Sequence, residues 1–317
     1  MQLSPDLAAI RAAHERIQPF IHRTSVLTCS AINALANAHV YFKCENFQKV
    51  GAFKFRGATN AVQSLSEETS QRGVVTHSSG NHAAALALAA RHRGIPAYIV
   101  MPNNAPAVKR VAVQGYGGRI TECEPTQAAR EAACAELVRS TGATLVHPYD
   151  DEAVIAGQGT AALELLEEVP DLAAILAPVG GGGLLSGTLI AAKGIRPSIR
   201  VIGCEPKLAG DAAQSMQEGR IVPQLSTVTI ADGLRTSLGP KTFPIIKEHV
   251  ETIALVEEAE IVAALRLILE RMKIVIEPSS AVPLAALLNR PLNLVGLNVG
   301  IILSGGNLDV SGALPVI

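Results

Sequence analysis

The stretch AAILAPVGGGGLLSGTLIAA, residues 173–192, joins an unbroken apolar run to four consecutive glycines and then to a helix-like pattern. A run such as AAILAPV, with no polar residue at alternate positions, suits a parallel strand covered by helices on both faces. The glycines let backbone amides approach an anion without obstruction from Cβ atoms, and a following helix N-terminus adds partial positive charge. A phosphate is the expected guest of Gly180, Gly181, Gly182 and Gly183. Residues 172–192 and 291–308 are both long and uncharged, yet glycine clusters or Asn and Ser break each of them. They read as strand, glycine turn and following segment rather than as membrane spans.

Outward from this stretch, short β-branched runs alternate with helical patterns. Strands are expected at VYF from Val40, GVVTH from Gly73, AYIVM from Ala97, RITE from Arg119, TLVH from Thr144, RVIGCE from Arg200 and VGIILS from Val299. Helical patterns over 83–92, 127–140, 153–168 and 257–271 lie between them, a spacing that predicts parallel βαβ units and an α/β fold. Residues 73–150 are expected to form a small α/β domain inserted into a large domain of residues 1–72 and 151–317, with a cleft between the two.

The chain has 317 residues, 48% of them hydrophobic, enough for a large buried core. Its 28 acidic residues balance 27 Lys and Arg, with no basic run interleaved with aromatics, so nucleic acid is not an expected partner. The five cysteines are widely spaced and form no CxxC pair, which argues against a disulfide framework or a zinc site and fits a reducing cytoplasm. The opening MQLSPDLAAIRAAHERI lacks the order of a signal peptide, so neither export nor a membrane is expected.

The run GAFKFRGA, Gly51 to Ala58, sets Lys54 between Phe53 and Phe55. An amine in an apolar, partly desolvated setting loses preference for its charged form and can attack a carbonyl at neutral pH. THSSGNHAAALALAA, from Thr76, is a second strand-to-helix junction, where Ser78, Ser79 and Asn81 can cap the helix and free amides can bind a carboxylate. A dinucleotide site fails in register: no placement of G-x-G-x-x-G on residues 180–187 fills all three glycine positions, and it leaves Lys54 without a role.

GAFKFRGA, SSGNH, GGGG and SGGN, in this order, resemble the fold-type II pyridoxal-phosphate enzymes, in the branch of serine/threonine dehydratases and serine racemases. FKCENFQ, HPYDDEAVIAGQGT, ADGLRTSLG and RMKIVIEPSSAV extend the resemblance over nearly the whole chain. It implies the tryptophan synthase β-like α/β architecture, with two open, twisted, mostly parallel sheets. It further implies that Lys54 carries pyridoxal 5'-phosphate covalently beside Phe53, that Gly180 to Gly183 cradle the phosphate, that Asn81 bonds the ring hydroxyl and that Ser304 meets the pyridine nitrogen. A neutral hydroxyl at that nitrogen favours prompt expulsion of a β-leaving group.

Ser78, Ser79, Asn81 and His82 match the family's substrate-carboxylate loop. The racemase-like branch has serine at position 79, an acid/base on the face opposite the lysine. Arg130, by itself a solvated helix residue, matches an arginine that reaches the substrate. Glu205 and Asp211, by themselves ordinary surface acids, match a divalent-cation site with the Ala209 carbonyl, suited to Mg²⁺, Ca²⁺ or Mn²⁺. Cys29, Ser30 and Tyr149 depart from an animal nucleotide-effector site, so ATP activation is not expected, and neither is isoleucine feedback.

The expected reaction is elimination: L-serine or L-threonine loses its α-proton and β-hydroxyl and leaves as a 2-oxo acid and ammonia. Serine racemisation is the alternative, and elimination from 3-hydroxyaspartate is another, with Arg130 or Arg235 receiving its second carboxylate. A catalytically silent amino-acid or nucleotide sensor is the reading from another class. The expected assembly is a homodimer.

Overall fold

The computed structural model describes residues 5–105, 107–224, 226 and 228–309. Its strands are β1 (Val26–Leu27), β2 (His39–Cys44), β3 (Val74–His77), β4 (Ala97–Pro102), β5 (Arg119–Cys123), β6 (Thr144–Leu145), β7 (Ala174–Pro178), β8 (Arg200–Pro206), β9 (Thr252–Val256) and β10 (Asn298–Leu303). They build a six-stranded sheet in the order β1-β2-β10-β7-β8-β9 and a four-stranded sheet in the order β5-β4-β3-β6. Every pairing is parallel except β1 with β2. The chain is thus an α/β protein with two mostly parallel sheets, and the strands of the smaller sheet all fall between Val74 and Leu145.

Alternate residues of the large sheet enter two separate cores, as an unalternating apolar strand requires. Ala174 and Leu176 of β7, with Ile202 and Ile301, pack on one side under the helix Pro278–Asn289. Ile175 and Ala177, with Val201 and Ile302, pack on the other against the helices Glu152–Glu168 and Gly183–Ile195. Two strands went unread in the sequence: β1 has only two residues, and β9, TIALV, is a half-buried edge strand. The expected helix over 257–271 is an α-helix only over Glu258–Leu267 and continues as a π turn, Ile268–Met272.

From β7 the chain runs outward through β8 and β9, then returns to place β10 on the other side of β7. A crevice opens at the carboxyl ends where the winding direction reverses, the usual ligand position in such sheets. The helix Lys54–Gln63 reaches that crevice by packing closely on Glu152–Glu168, where a Cβ on Gly157 would stand 2.6 Å from the Gly57 Cα. Among the described residues no helix is long and apolar enough to cross a membrane.

Candidate active site

Lys54 is the first residue of its helix, and the preceding segment is stitched to the end of β10: Ala52 bridges Gly305, and the Phe53 N–H donates to the Ser304 carbonyl at 2.9 Å. Its Nζ donates to the Pro148 carbonyl at 2.7 Å and stands 5.2 Å from the centre of the Phe53 ring. Burial pulls this amine down to about 8, against the opposing pull of the Glu277 carboxylate. The chain has therefore built a lysine that gives up its proton near neutral pH.

The four glycines span the turn from β7 into the helix Gly183–Ile195. Among the described residues, none of the amides of Gly180 to Gly183 donates to a protein acceptor, so four N–H groups at this turn are unclaimed. Gly181 carries the ring of Tyr149 directly on its Cα, where a Cβ would meet ring carbons at 2.3 Å. Thr242 Oγ1 donates to the Gly181 carbonyl at 2.8 Å and locks the turn from behind. Free donors at a helix N-terminus, held rigidly with no room for side chains, fit a phosphate group.

The SSGNH loop leaves β3 and enters the helix Asn81–Arg93. The cap is Gly80, with no side-chain capping bond, so the expected serine and asparagine caps do not form. Ser78 Oγ accepts from the Gly80 N–H at 3.3 Å, whereas the half-buried Ser79 hydroxyl has no hydrogen-bond partner among the described residues. The amides of Ser79, Asn81 and His82 are also unclaimed there, and nothing lies within 4 Å of the position a Gly80 Cβ would take. These three donors at a helix start suit a carboxylate. The His82 ring does not join them: it is 2% exposed, and its Nε2 donates to the Val146 carbonyl at 3.2 Å.

Ser304, at the end of β10, is buried with its Oγ 3.0 Å from Ser280 Oγ. Ser280 in turn donates to the Gly305 carbonyl at 2.7 Å. That bond uses the Ser280 proton, so Ser304 Oγ donates to Ser280 Oγ, which also accepts from the Gly305 amide at 2.7 Å. Arg130 stands farther out. His147 feels the charge of Lys54, its ring is 5.5 Å from His77, and His77 feels Arg130. Arg130 is half-buried, its Nε enclosed and without a hydrogen-bond partner among the described residues, not a solvated helix residue.

Three features carried no role in the sequence. Arg56, two residues beyond Lys54, is fully buried and grips two carboxylates: Glu45 through Nε at 2.7 Å and Glu164 through Nη1 and Nη2 at 2.8 Å. Lys43 Nζ completes the cluster with Glu164 at 2.7 Å. Burial pushes Glu164 upward, but Arg56 and Lys43 outweigh it and hold the carboxyl below its ordinary value. The second is Glu277, which accepts from Asn81 Nδ2. The third is Tyr149. Only FKCENFQ and IEPSSAV, which recur across the resemblance, could have signalled the first two.

Glu205 and Asp211 are not surface acids; they are 0% and 4% exposed. Glu205 accepts from the Ala212 and Ala213 amides at 3.0 Å, and burial still lifts it to about 8. Asp211 is lifted to about 7, also by burial, and neither of its carboxylate oxygens has a hydrogen-bond partner among the described residues. Between them Ala209, itself buried, ends a turn whose other two residues, Lys207 and Leu208, are exposed. The buried Asp211 carboxylate, without a partner among the described residues and electrostatically coupled to Glu205, supplies the hard oxygen donors a divalent cation takes. The Val179 amide donates to the Cys204 carbonyl at 2.9 Å, tying this corner to the glycine loop.

Residues 17–305 match the family described as "Pyridoxal-phosphate dependent enzyme". A serine racemase of Arabidopsis thaliana is 51% identical over 310 residues, covering 96% of this chain and 94% of that protein. A beta-hydroxyaspartate dehydratase of Paracoccus denitrificans is 49% identical over 306 residues, covering 96% and 97%. The crystal structure of serine racemase from Dictyostelium discoideum superposes with a TM-score of 0.92 at 52% identity, covering 96% of this chain and 99% of that one.

Proposed function

Because this chain belongs to the pyridoxal-phosphate-dependent enzyme family, we propose that it is an amino-acid racemase that interconverts L- and D-serine and also eliminates water from serine. This reverses the order expected from sequence, in which elimination came first. The observation that carries it is the Ser79 hydroxyl, half-buried beside three unclaimed amides and engaged in neither capping nor any other bond among the described residues. The resemblance to racemases over 96% of the chain supports the same order.

Pyridoxal phosphate, when bound, supplies an electron sink that acidifies the Cα–H bond of an amino acid. The chain's own residues would do the rest. The amides of Gly180 to Gly183 bind the phosphate and those of Ser79, Asn81 and His82 orient the substrate carboxylate. Lys54 takes the α-proton on one side of the substrate. Return of a proton by Ser79 on the other side inverts the centre; loss of the β-hydroxyl as water instead commits the molecule to a 2-oxo acid and ammonia. Lys54 and Ser79 thus divide the two outcomes.

Ser79→Ala should lose racemisation and attack on D-serine by more than tenfold, about 1.4 kcal/mol of transition-state stabilisation, while keeping much of L-serine elimination. A chiral assay for both enantiomers, run with a 2-oxo acid assay, reads the split. A variant that racemises as fast as the parent leaves Ser79 without a catalytic role. Elimination from 3-hydroxyaspartate is the second reading, favoured by the enclosed Arg130 Nε, which has no partner among the described residues; the same assays with that substrate rank the two.

We further propose a divalent cation at Glu205, Asp211 and the Ala209 carbonyl, bound outside the reaction centre and ordering the glycine loop. Chelation should lower thermal stability and activity, and Mg²⁺ or Ca²⁺ should restore both. A Glu205→Ala variant should respond to neither. Identical responses in variant and parent would move the cation elsewhere.

A further inference from the structure

The Asn81 side chain is held at both ends. Its Nδ2 donates to the two Glu277 oxygens at 3.3 and 3.0 Å, and its Oδ1 accepts from Asn307 Nδ2 at 2.9 Å. Asn307 is itself fixed by a second N–H bond to the Val50 carbonyl at 2.7 Å. Turning the Asn81 amide over would set oxygen against carboxylate and N–H against N–H, so only one orientation survives. Nδ2 carries two hydrogens, and the carboxylate occupies one side of it.

Glu277 is placed with equal care. It is 5% exposed, its N–H donates to the Gly305 carbonyl at 3.0 Å, and its carboxylate lies so close to Gly305 that a Cβ there would stand 2.9 Å from Oε1. The first glycine of SGGN therefore exists for this carboxylate. Charged groups reach Glu277 from three elements: Lys54 on its helix, Lys109 on the helix Ala107–Gly115, and Asp232 on the turn Asp232–Leu234.

We propose that Glu277 and Asn307 are positioning residues for Asn81, aiming its free Nδ2 hydrogen at the ring hydroxyl of bound pyridoxal phosphate and placing a carboxyl group behind it. The proposal rests on the cofactor reading above and adds residues to it. Burial lifts the Glu277 carboxyl to about 7, against the Asn81 bond, so its charge changes near neutrality. Above that midpoint the negative carboxylate disfavours ionisation of the hydroxyl; below it the carboxyl is neutral and the effect fades.

The test follows the visible absorbance of the protein loaded with pyridoxal phosphate between about pH 6 and 9, with cofactor affinity measured alongside. Glu277→Gln, which keeps shape and removes charge, should move the midpoint of the colour change downward by about one unit and weaken cofactor binding about tenfold. Asn307→Asp is an exposed substitution that should fold normally. It sets a carboxylate against Asn81 Oδ1 and should also shift the spectrum. Loss of thermal stability with unchanged spectra and affinity in both variants would overturn the proposal. A parent that takes up no cofactor would overturn the cofactor reading and the proposal with it.

Discussion

Lys54→Ala should lower kcat/KM for serine by about 10⁴-fold or more, because it removes both the covalent attachment point and a proton-transferring group. The structure makes the lysine suited to this: burial holds its amine at about 8, so a useful fraction is neutral at physiological pH. Glu277 pushes in the opposite direction, which keeps the shift moderate. Uptake of the cofactor aldehyde should consequently rise about tenfold per pH unit below the midpoint and level off above it. Lys54→Arg separates chemistry from packing, since a guanidinium keeps the positive charge near Phe53 but is never neutral and should be as inactive as alanine. Borohydride should fix the cofactor's mass to the parent's Lys54 peptide and to no peptide of either variant. Turnover of Lys54→Ala within tenfold of the parent would remove Lys54 from the reaction.

Arg56→Met should destabilise the protein by about 3–5 kcal/mol, the usual result of leaving buried carboxylates without their partner. The intact cluster balances Lys43 and Arg56 against Glu45 and Glu164, all of them 0% exposed. Methionine fills the volume but leaves Glu45 with the Thr24 hydroxyl as its remaining bond, and Glu164 with Lys43 and the His14 ring at 3.7 Å. Adding Glu164→Gln returns the remaining pair, Lys43 and Glu45, to neutrality, so the double variant should recover part of the loss. Arg56 anchors the helix that Lys54 begins, tying it to the turn Glu45–Phe47 that follows β2 and to the helix Glu152–Glu168. Cofactor affinity should therefore fall with stability. A thermal unfolding curve for Arg56→Met indistinguishable from the parent's would show the cluster to be dispensable.

How much of this was legible depends on whether the signal is local. AAILAPV reads as a two-sided strand because its lack of alternation is itself the signal, and Ala174 to Ala177 do alternate between two cores. GGGG and the Lys54 run are equally local, and both arrive at the crevice. Arg56 looked like an ordinary charge next to Lys54 because its partners lie 11 and 108 residues away. Glu277 meets Asn81 across 196 residues, and Asp211 is buried by a fold that a turn sequence cannot reveal. His82 shows what a motif position leaves open: it lies in the substrate loop, yet helix geometry turns its ring inward and leaves only the amide outside.

Incubation of the parent protein, loaded with pyridoxal phosphate, with L-serine in deuterated water tests the central claim most directly. Two-sided proton traffic predicts D-serine carrying deuterium at Cα, formed alongside the 2-oxo acid. Formation of 2-oxo acid with no D-serine would contradict it and leave Lys54 working on one face alone.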